Sequence, residues 1–215
     1  MHIAYRPHFS DSRSAWATHL YIVAIALVAS APLLAQPPGR DLLNSERIAA
    51  QFGSYGVEVL EQDETVRVSN LYSGAGDDKT CRTFAVVRYQ HIVDPQLSAE
   101  HAAIVAGGSL GAVFVAAGWE VRKTHLRYSE TWATPRLASL MRVAAGTPLA
   151  TDIYALDVAK GGQVVEYATL VEIHHPDYLT KDDLPAIYGP AFEAPRSARS
   201  VAAFMAAEAA FERKP

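Results

Sequence analysis

Cysteine is almost missing from this chain. Cys81 stands alone among 215 residues, so no internal disulfide can form, and no CxxC or Cys/His spacing offers a zinc site. The thiol falls inside an apolar strand pattern, where a buried, inert cysteine is expected. Clustered positive charge is missing too. The 19 Lys and Arg are spread out against 23 Asp and Glu, for a formal net charge of −4, which excludes the broad basic face that a nucleic acid backbone attracts. The G-x-G-x-x-G and G-x-x-x-x-G-K-[ST] patterns of nucleotide-binding folds are absent, and neither Ser109 nor Ser129 sits in a nucleophile elbow. No cofactor is therefore expected.

Long hydrophobic runs are scarce as well, with one exception at the start. MHIAYRPHFSDSRSAWATH carries Arg6 and Arg13 and leads into LYIVAIALVASAPLLA, uncharged from Leu20 to Ala35. A basic segment, an apolar run barely long enough to span a bilayer, and small residues before QPPGR read as a secretory signal over residues 1–35, cleaved near Ala35. Retained instead of cleaved, the same run would be a membrane anchor, the one contact with a membrane that the sequence suggests. Both readings place the folded part in an exported compartment, periplasmic or secreted.

What remains is well supplied for folding. Half the chain is apolar (50%) and 20% is charged, enough for one sizeable core and one domain over residues 36–195. RDLLNSERIAAQF has Leu42, Leu43, Ile48, Ala49 and Phe52 at helical spacing. The period then drops to two in GVEVLEQ, TVRVSNLYS and CRTFAVVRYQ, which predicts three antiparallel strands. DPQLSAEHAAIVAGG reads as a helix with Leu97, His101 and Ile104 on one face, and SLGAVFVAAGW as a second, whose glycines permit close packing. EVRKTHLRYSETW alternates as a long strand, with Val121, Lys123, His125 and Arg127 on one face and Leu126, Tyr128 and Trp132 on the other. TPRLASLMRVAAG is a helix capped by Thr134, with Pro135 in its first turn and Gly146 after its end. PLATDIYALDVAKGGQVVEYATLVEI is a hairpin turning at Lys160-Gly161-Gly162. Residues 196–215 form an Ala-rich amphipathic helix with Val201, Phe204, Met205 and Phe211 as its apolar stripe. This order predicts an α+β fold: an antiparallel sheet of about six strands with helices packed on it.

Two stretches carry a resemblance. CRTFAVVRY, a helix, and then GGSLGAVF resemble the part of chorismate lyases in which an Arg-Thr strand precedes a helix and a Pro-Leu-Gly turn. ATPRLASLMRVAAGTPLATDIYALDVAKGGQVVEYATLVEIHHPDYL is similar to the end of the UTRA ligand-binding domains of bacterial regulators, where a helix, a glycine and a KGG-tipped hairpin lead to an Asp-x-Tyr close. The resemblance covers residues 65–179. It implies that Glu172 contacts the phenol side of a ligand, that the backbone amide of Leu110 helps hold it, and that Arg67 pairs with a carboxylate. Arg82 aligns with the Arg-Thr arginine. Ser109 stands where the lyases have proline.

From the residues alone, Glu172 shares a strand face with Val164, Glu166, Ala168 and Leu170, and Tyr167 lies on the opposite face. Glu172 is a catalytic candidate if its face lines a cavity, and a surface residue if that face is wet. His174 and His175 are neighbours whose rings project to opposite sides, so they cannot chelate one metal together, and His91, His101 and His125 stand at no supporting spacing. No metal set is expected; one of the pair packs at the strand end and the other is solvated. Tyr154 and Tyr167 suit a strand surface by propensity. The function these readings lead to is an exported protein binding a small aromatic or carboxylate molecule through Arg67, Arg82, Leu110 and Glu172. The alternatives are a chorismate-lyase-like enzyme releasing a hydroxybenzoate, and a structural or partner-binding envelope protein whose pocket is filled by its own side chains.

Overall fold

The computed structural model describes residues 42–90 and 92–192. The expected signal segment 1–35, its linker, His91 and the expected C-terminal helix lie outside the described residues. The elements run α1 (Asn44–Phe52), β1 (Gly56–Gln62), β2 (Val66–Ser73), β3 (Thr80–Tyr89), α2 (Ser98–Val105), α3 (Leu110–Ala116), β4 (Glu120–Trp132), α4 (Pro135–Met141), β5 (Pro148–Lys160), β6 (Gln163–His174) and α5 (Asp183–Tyr188). The strands form one six-stranded antiparallel sheet in the order β1-β2-β3-β6-β5-β4. The last strand in sequence is thus central in space, paired with β3 on one side and β5 on the other. The hairpin tip makes this possible: Gly161 and Gly162 take φ of 59° and 83°, the turn geometry that two-residue hairpins need and side chains resist.

Both faces of the sheet are covered. On one, α4 lays Leu137 and Met141 over Phe84, Val86, Ile153 and Ile173. As the sequence implies, α4 starts with the Thr134 hydroxyl accepting the Leu137 N–H at 3.3 Å and Pro135 in its first turn. It stops at Met141, short of Gly146, because Arg142 itself adopts the left-handed conformation with φ 58°. On the other face, Leu97 in the turn before α2, Ile104 of α2 and Phe114 of α3 pack against Val87, Tyr154, Leu156 and Leu170, while α1 and α5 bring Ile48 and Leu184 over Ala150. α5 has no counterpart in the sequence reading. Close approach of α3 depends on Gly111, where a Cβ would meet the Leu43 side chain at 2.8 Å.

Two bulges overturn the expected side-chain alternation. In β6, Glu166 pairs with Asp157 and Ala168 with Leu156, which leaves Tyr167 as the extra residue. Tyr167 therefore shares the face of Leu170 and Glu172, and Glu166 turns away from it. In β4, His125 pairs with Tyr154 and Arg127 with Ile153, so Leu126 is extra and Tyr128 joins His125 under the helices instead of opposing it. Tyr154 and Tyr167, expected on a strand surface, are 2% and 1% exposed. Their bulk is useful beneath helices, and each hydroxyl finds a partner there.

Burial has two measurable consequences. It pushes the Cys81 thiol up to about 12, so Cys81 in the folded chain should resist a small alkylating reagent at neutral pH and react at the rate of a free thiol once denatured. Equally fast labelling of the native protein would contradict this. His101 Nδ1 lies 2.8 Å from the Tyr167 hydroxyl, whose own pKa burial raises, so tyrosine donates and a neutral imidazole accepts. Burial lowers the His101 pKa below its ordinary value, so on acidification the unfolded chain takes up that proton first. The stability from this contact is complete above about pH 6.5 and is lost as pH falls below it. The drop in Tm from about pH 7.5 to 5.5 should accordingly be smaller in His101→Gln than in the parent. An equal drop removes His101 as a contributor.

Candidate functional site

The helices on the second face do not seal against the sheet everywhere. A cavity of about 70 Å³ remains between them. Its floor includes Arg67 and Ser69 of β2, Ala85 and Val87 of β3, Leu170 and Glu172 of β6, Tyr154 and Leu156 of β5, and Lys123 of β4. Its roof is the start of α1 (Leu43, Asn44, Ser45), Tyr55, and the start of α3 (Ser109, Leu110, Gly111). In the same measure one water needs roughly 10–15 Å³, so the space suits a few waters or a molecule of a few heavy atoms, well below the ~300–1,000 Å³ of pockets for drug-sized ligands. A wider groove of about 760 Å³, open to solvent, runs beside Val59, Gln62, Ser98 and Val105; no buried charges converge on it.

Arg67, 1% exposed, is the largest of the fully buried side chains. Its Nε donates to Ser69 Oγ at 2.8 Å, and its Nη1 donates to the carbonyls of Ile104 at 2.9 Å and Gly108 at 2.7 Å. These bonds tie β2 to the segment between α2 and α3. Nη2 is not engaged by them, and among the described residues no carboxylate forms an ion pair with this guanidinium. Gly108 can accept there because it lacks a Cβ, which would come within 2.8 Å of the Ala103 carbonyl oxygen. A buried arginine bonded to neutral acceptors carries an unbalanced charge, and an anion is the species that balances it.

Glu172 marks the other end. It is 4% exposed; Oε1 accepts from the Tyr154 hydroxyl at 3.0 Å, and Oε2 has no hydrogen-bond partner among the described residues. Tyr55 roofs the space between and is within electrostatic reach of both charges, its pKa raised chiefly by burial and also by Glu172, with a hydrogen bond to Ser109 and the charge of Arg67 opposing. Lys123 lies 4.7 Å from the Tyr154 ring centre. Opposed charges at the two ends with apolar walls between can hold a short molecule by an anionic group and a hydroxyl or amine.

The expected site residues divide. Arg67, Leu110 and Glu172 line one cavity. Arg82 does not: it is the extra residue where β3 bulges against Leu71 and Tyr72, its Nε donates to Ser73 Oγ at 2.8 Å, and its guanidinium stacks on the Phe52 ring at 3.9 Å. Burial lowers its pKa, and its role is to seat the end of α1 on the sheet rim. His174 and His175, of which one was expected to be solvated, are 0% and 5% exposed. His175 Nδ1 accepts the Asp177 N–H at 3.0 Å, closing the turn after β6, and His174 Nδ1 lies 3.1 Å from Thr83 Oγ1.

Several polar groups here escaped the sequence reading. Asp152 lies directly opposite Glu172 across β5 and β6, and both its oxygens lie within 3.0 Å of His125 Nδ1. Tyr188 of α5 stacks on the His125 ring at 4.5 Å, and the Tyr178 hydroxyl donates to Asn44 Oδ1. The signal was available as the alternation Glu172-Ile173-His174 and a second buried strand carrying Asp152 among apolar neighbours.

No protein-family model matches the chain, and no curated protein matches it. Solved structures do. One is the transcriptional regulator (GntR family) from Enterococcus faecalis V583, with 12% identity and a TM-score of 0.37, the alignment covering 59% of this chain and 93% of that one. Another is the ligand-binding domain of a GntR-family transcriptional regulator from Bordetella bronchiseptica, with 13% identity, a TM-score of 0.40, and 58% and 87% covered. A third is the C-terminal domain of the histidine utilization repressor from Pseudomonas syringae pv. tomato, with 12% identity, a TM-score of 0.33, and 59% and 90% covered. No residue role passes from these proteins to this chain. The chain has the six-stranded antiparallel α+β architecture that the motifs of residues 65–179 implied.

Proposed function

We propose that this protein binds a small anionic molecule, a carboxylate of a few heavy atoms, in the cavity between its sheet and the starts of α1 and α3. The observation that carries the reading is Arg67: a guanidinium 1% exposed on the cavity floor, held by neutral acceptors and paired with no acid among the described residues. Glu172 would receive a hydroxyl or amine at the far end. The small volume favours a short aliphatic acid over an aromatic one. It disfavours the lyase alternative, because chorismate is larger than the molecule of a few heavy atoms that a space of about 70 Å³ admits. Export belongs to the same proposal and rests on residues 1–35 as a sequence. Under it, N-terminal sequencing of the secreted or periplasmic form reads from Gln36, and an intact Met1 in a soluble cytosolic fraction would refute it.

A ligand that binds only the folded state raises stability by about 2.7 kcal/mol at one hundred times its Kd. Acetate, propionate, lactate and pyruvate should therefore raise Tm by several degrees at millimolar concentration, with benzoate and 4-hydroxybenzoate giving less. Arg67→Lys keeps the charge but loses the fork that grips a carboxylate, and should abolish the shift. A flat response to every acid leaves the cavity as packing space only. Incubation with chorismate should yield no 4-hydroxybenzoate; its appearance would establish the enzyme.

A further inference from the structure

Beneath the cavity floor, three side chains converge that the anion site does not use together. Asp152 and Glu172 are cross-strand partners on β5 and β6, and His174 is two residues beyond Glu172 on the same face. Each can offer a donor atom such that all three lie within 4.8 Å of one another. They are 1%, 4% and 0% exposed. Two of these groups end in buried atoms with no hydrogen-bond partner among the described residues: Glu172 Oε2 and His174 Nε2.

From this arrangement we propose that Asp152, Glu172 and His174 form a binding site for one divalent transition-metal ion of the zinc or manganese kind. Two buried carboxylates facing each other carry a charge of −2 that a divalent cation cancels, and the ion would satisfy both orphaned atoms at once. The donor set decides the class. One imidazole nitrogen with two carboxylate oxygens suits zinc, manganese or iron(II); calcium and magnesium prefer all-oxygen shells, and copper(I) prefers thiolate. Donors bound at ~2.0–2.2 Å stand ~3.4 Å apart, a contraction from the present spread that rotation of the two carboxylates supplies.

The surroundings already hold each donor in place, as the outer shell of a metal site does. Thr83 Oγ1 sits 3.1 Å from His174 Nδ1, and in the tautomer that carries the ring proton on Nδ1 it accepts that hydrogen bond and leaves Nε2 as the coordinating atom. His125 holds Asp152, and the Tyr154 hydroxyl holds Glu172 Oε1 at 3.0 Å. Three protein donors leave at least one position for water or a ligand, and Glu172 borders the cavity, so that position adjoins the space assigned to the anion. The metal site does not depend on the anion reading.

The test uses the untagged full chain, stripped with EDTA and then given ZnCl2 or CoCl2. The expected results are about one equivalent of metal retained after desalting, a higher Tm with zinc, and visible d–d bands with cobalt. His174→Asn and Asp152→Asn should lose the retained metal. Should either not fold, Thr83→Val removes only the hydroxyl that fixes the His174 ring and should weaken zinc binding by about tenfold to a hundredfold. Wild-type protein that retains no metal, or variants that retain as much as wild type, overturns the proposal. Arg67→Lys should keep the metal, and the carboxylate series is measured with EDTA present, so either reading can fail alone.

Discussion

Two acids face each other across the central strands of a sheet, in a layer from which water has been removed. Asp152 and Glu172 stand opposite by register, and neither can turn to solvent. Charge in such a place must be met from the protein side. The helices that cover this end of the sheet do so with polar groups on their inner faces. Asn44 of α1 bonds to Thr83 and accepts from Tyr178, Tyr188 of α5 lies flat on His125, and Tyr154 donates to Glu172. Burial, and after it the neighbouring charges including Glu172, raise the pKa of Tyr154, Tyr178 and Tyr188, so these hydroxyls stay protonated at neutral pH. The packing of α1 and α5 is therefore an electrostatic matter as much as an apolar one.

The opposite charge is kept at a distance. Arg67 is held by the carbonyl of Ile104 near the end of α2 and by that of Gly108 beyond it, which fixes this segment on β2 without a carboxylate. The two signs remain separated by apolar residues and by Tyr55, which is drawn one way by Glu172 and the other by Arg67. Had they been adjacent they would have neutralised each other and left nothing for a ligand to complete. Separation of buried charges across a small space is what turns a packing defect into a binding site.

Much of this architecture was legible in the sequence. Alternation located the strands, Thr134-Pro135 located the start of α4, and the paired glycines located the hairpin. Arg67, Leu110 and Glu172 were assigned together and do share a cavity. What escaped has a common cause: period-two reasoning assumes an unbroken strand. The extra residues Leu126 and Tyr167 change parity midway, so Tyr128 and Tyr167 were put on the wrong face, and Arg82 sits at a third irregularity. Cross-strand partners are also invisible to a linear reading, since Asp152 meets Glu172 only once the register of the hairpin is known. α5 was missed because six residues containing a proline give little periodicity to read.

The bulge at Tyr167 has a consequence for how this sequence can vary. The pairing passes over it, with Glu166 opposite Asp157 and Ala168 opposite Leu156, so Tyr167 is an addition to a ladder that is in register on both sides. Substitution at Tyr167 alters packing locally. Deleting that single residue would heal the bulge and leave Leu170, Glu172 and His174 in their layer, because the residues on either side already pair with β5 in continuous register. A relative lacking that one residue would therefore keep the charged floor and lose only the ring under α2 whose hydroxyl meets His101.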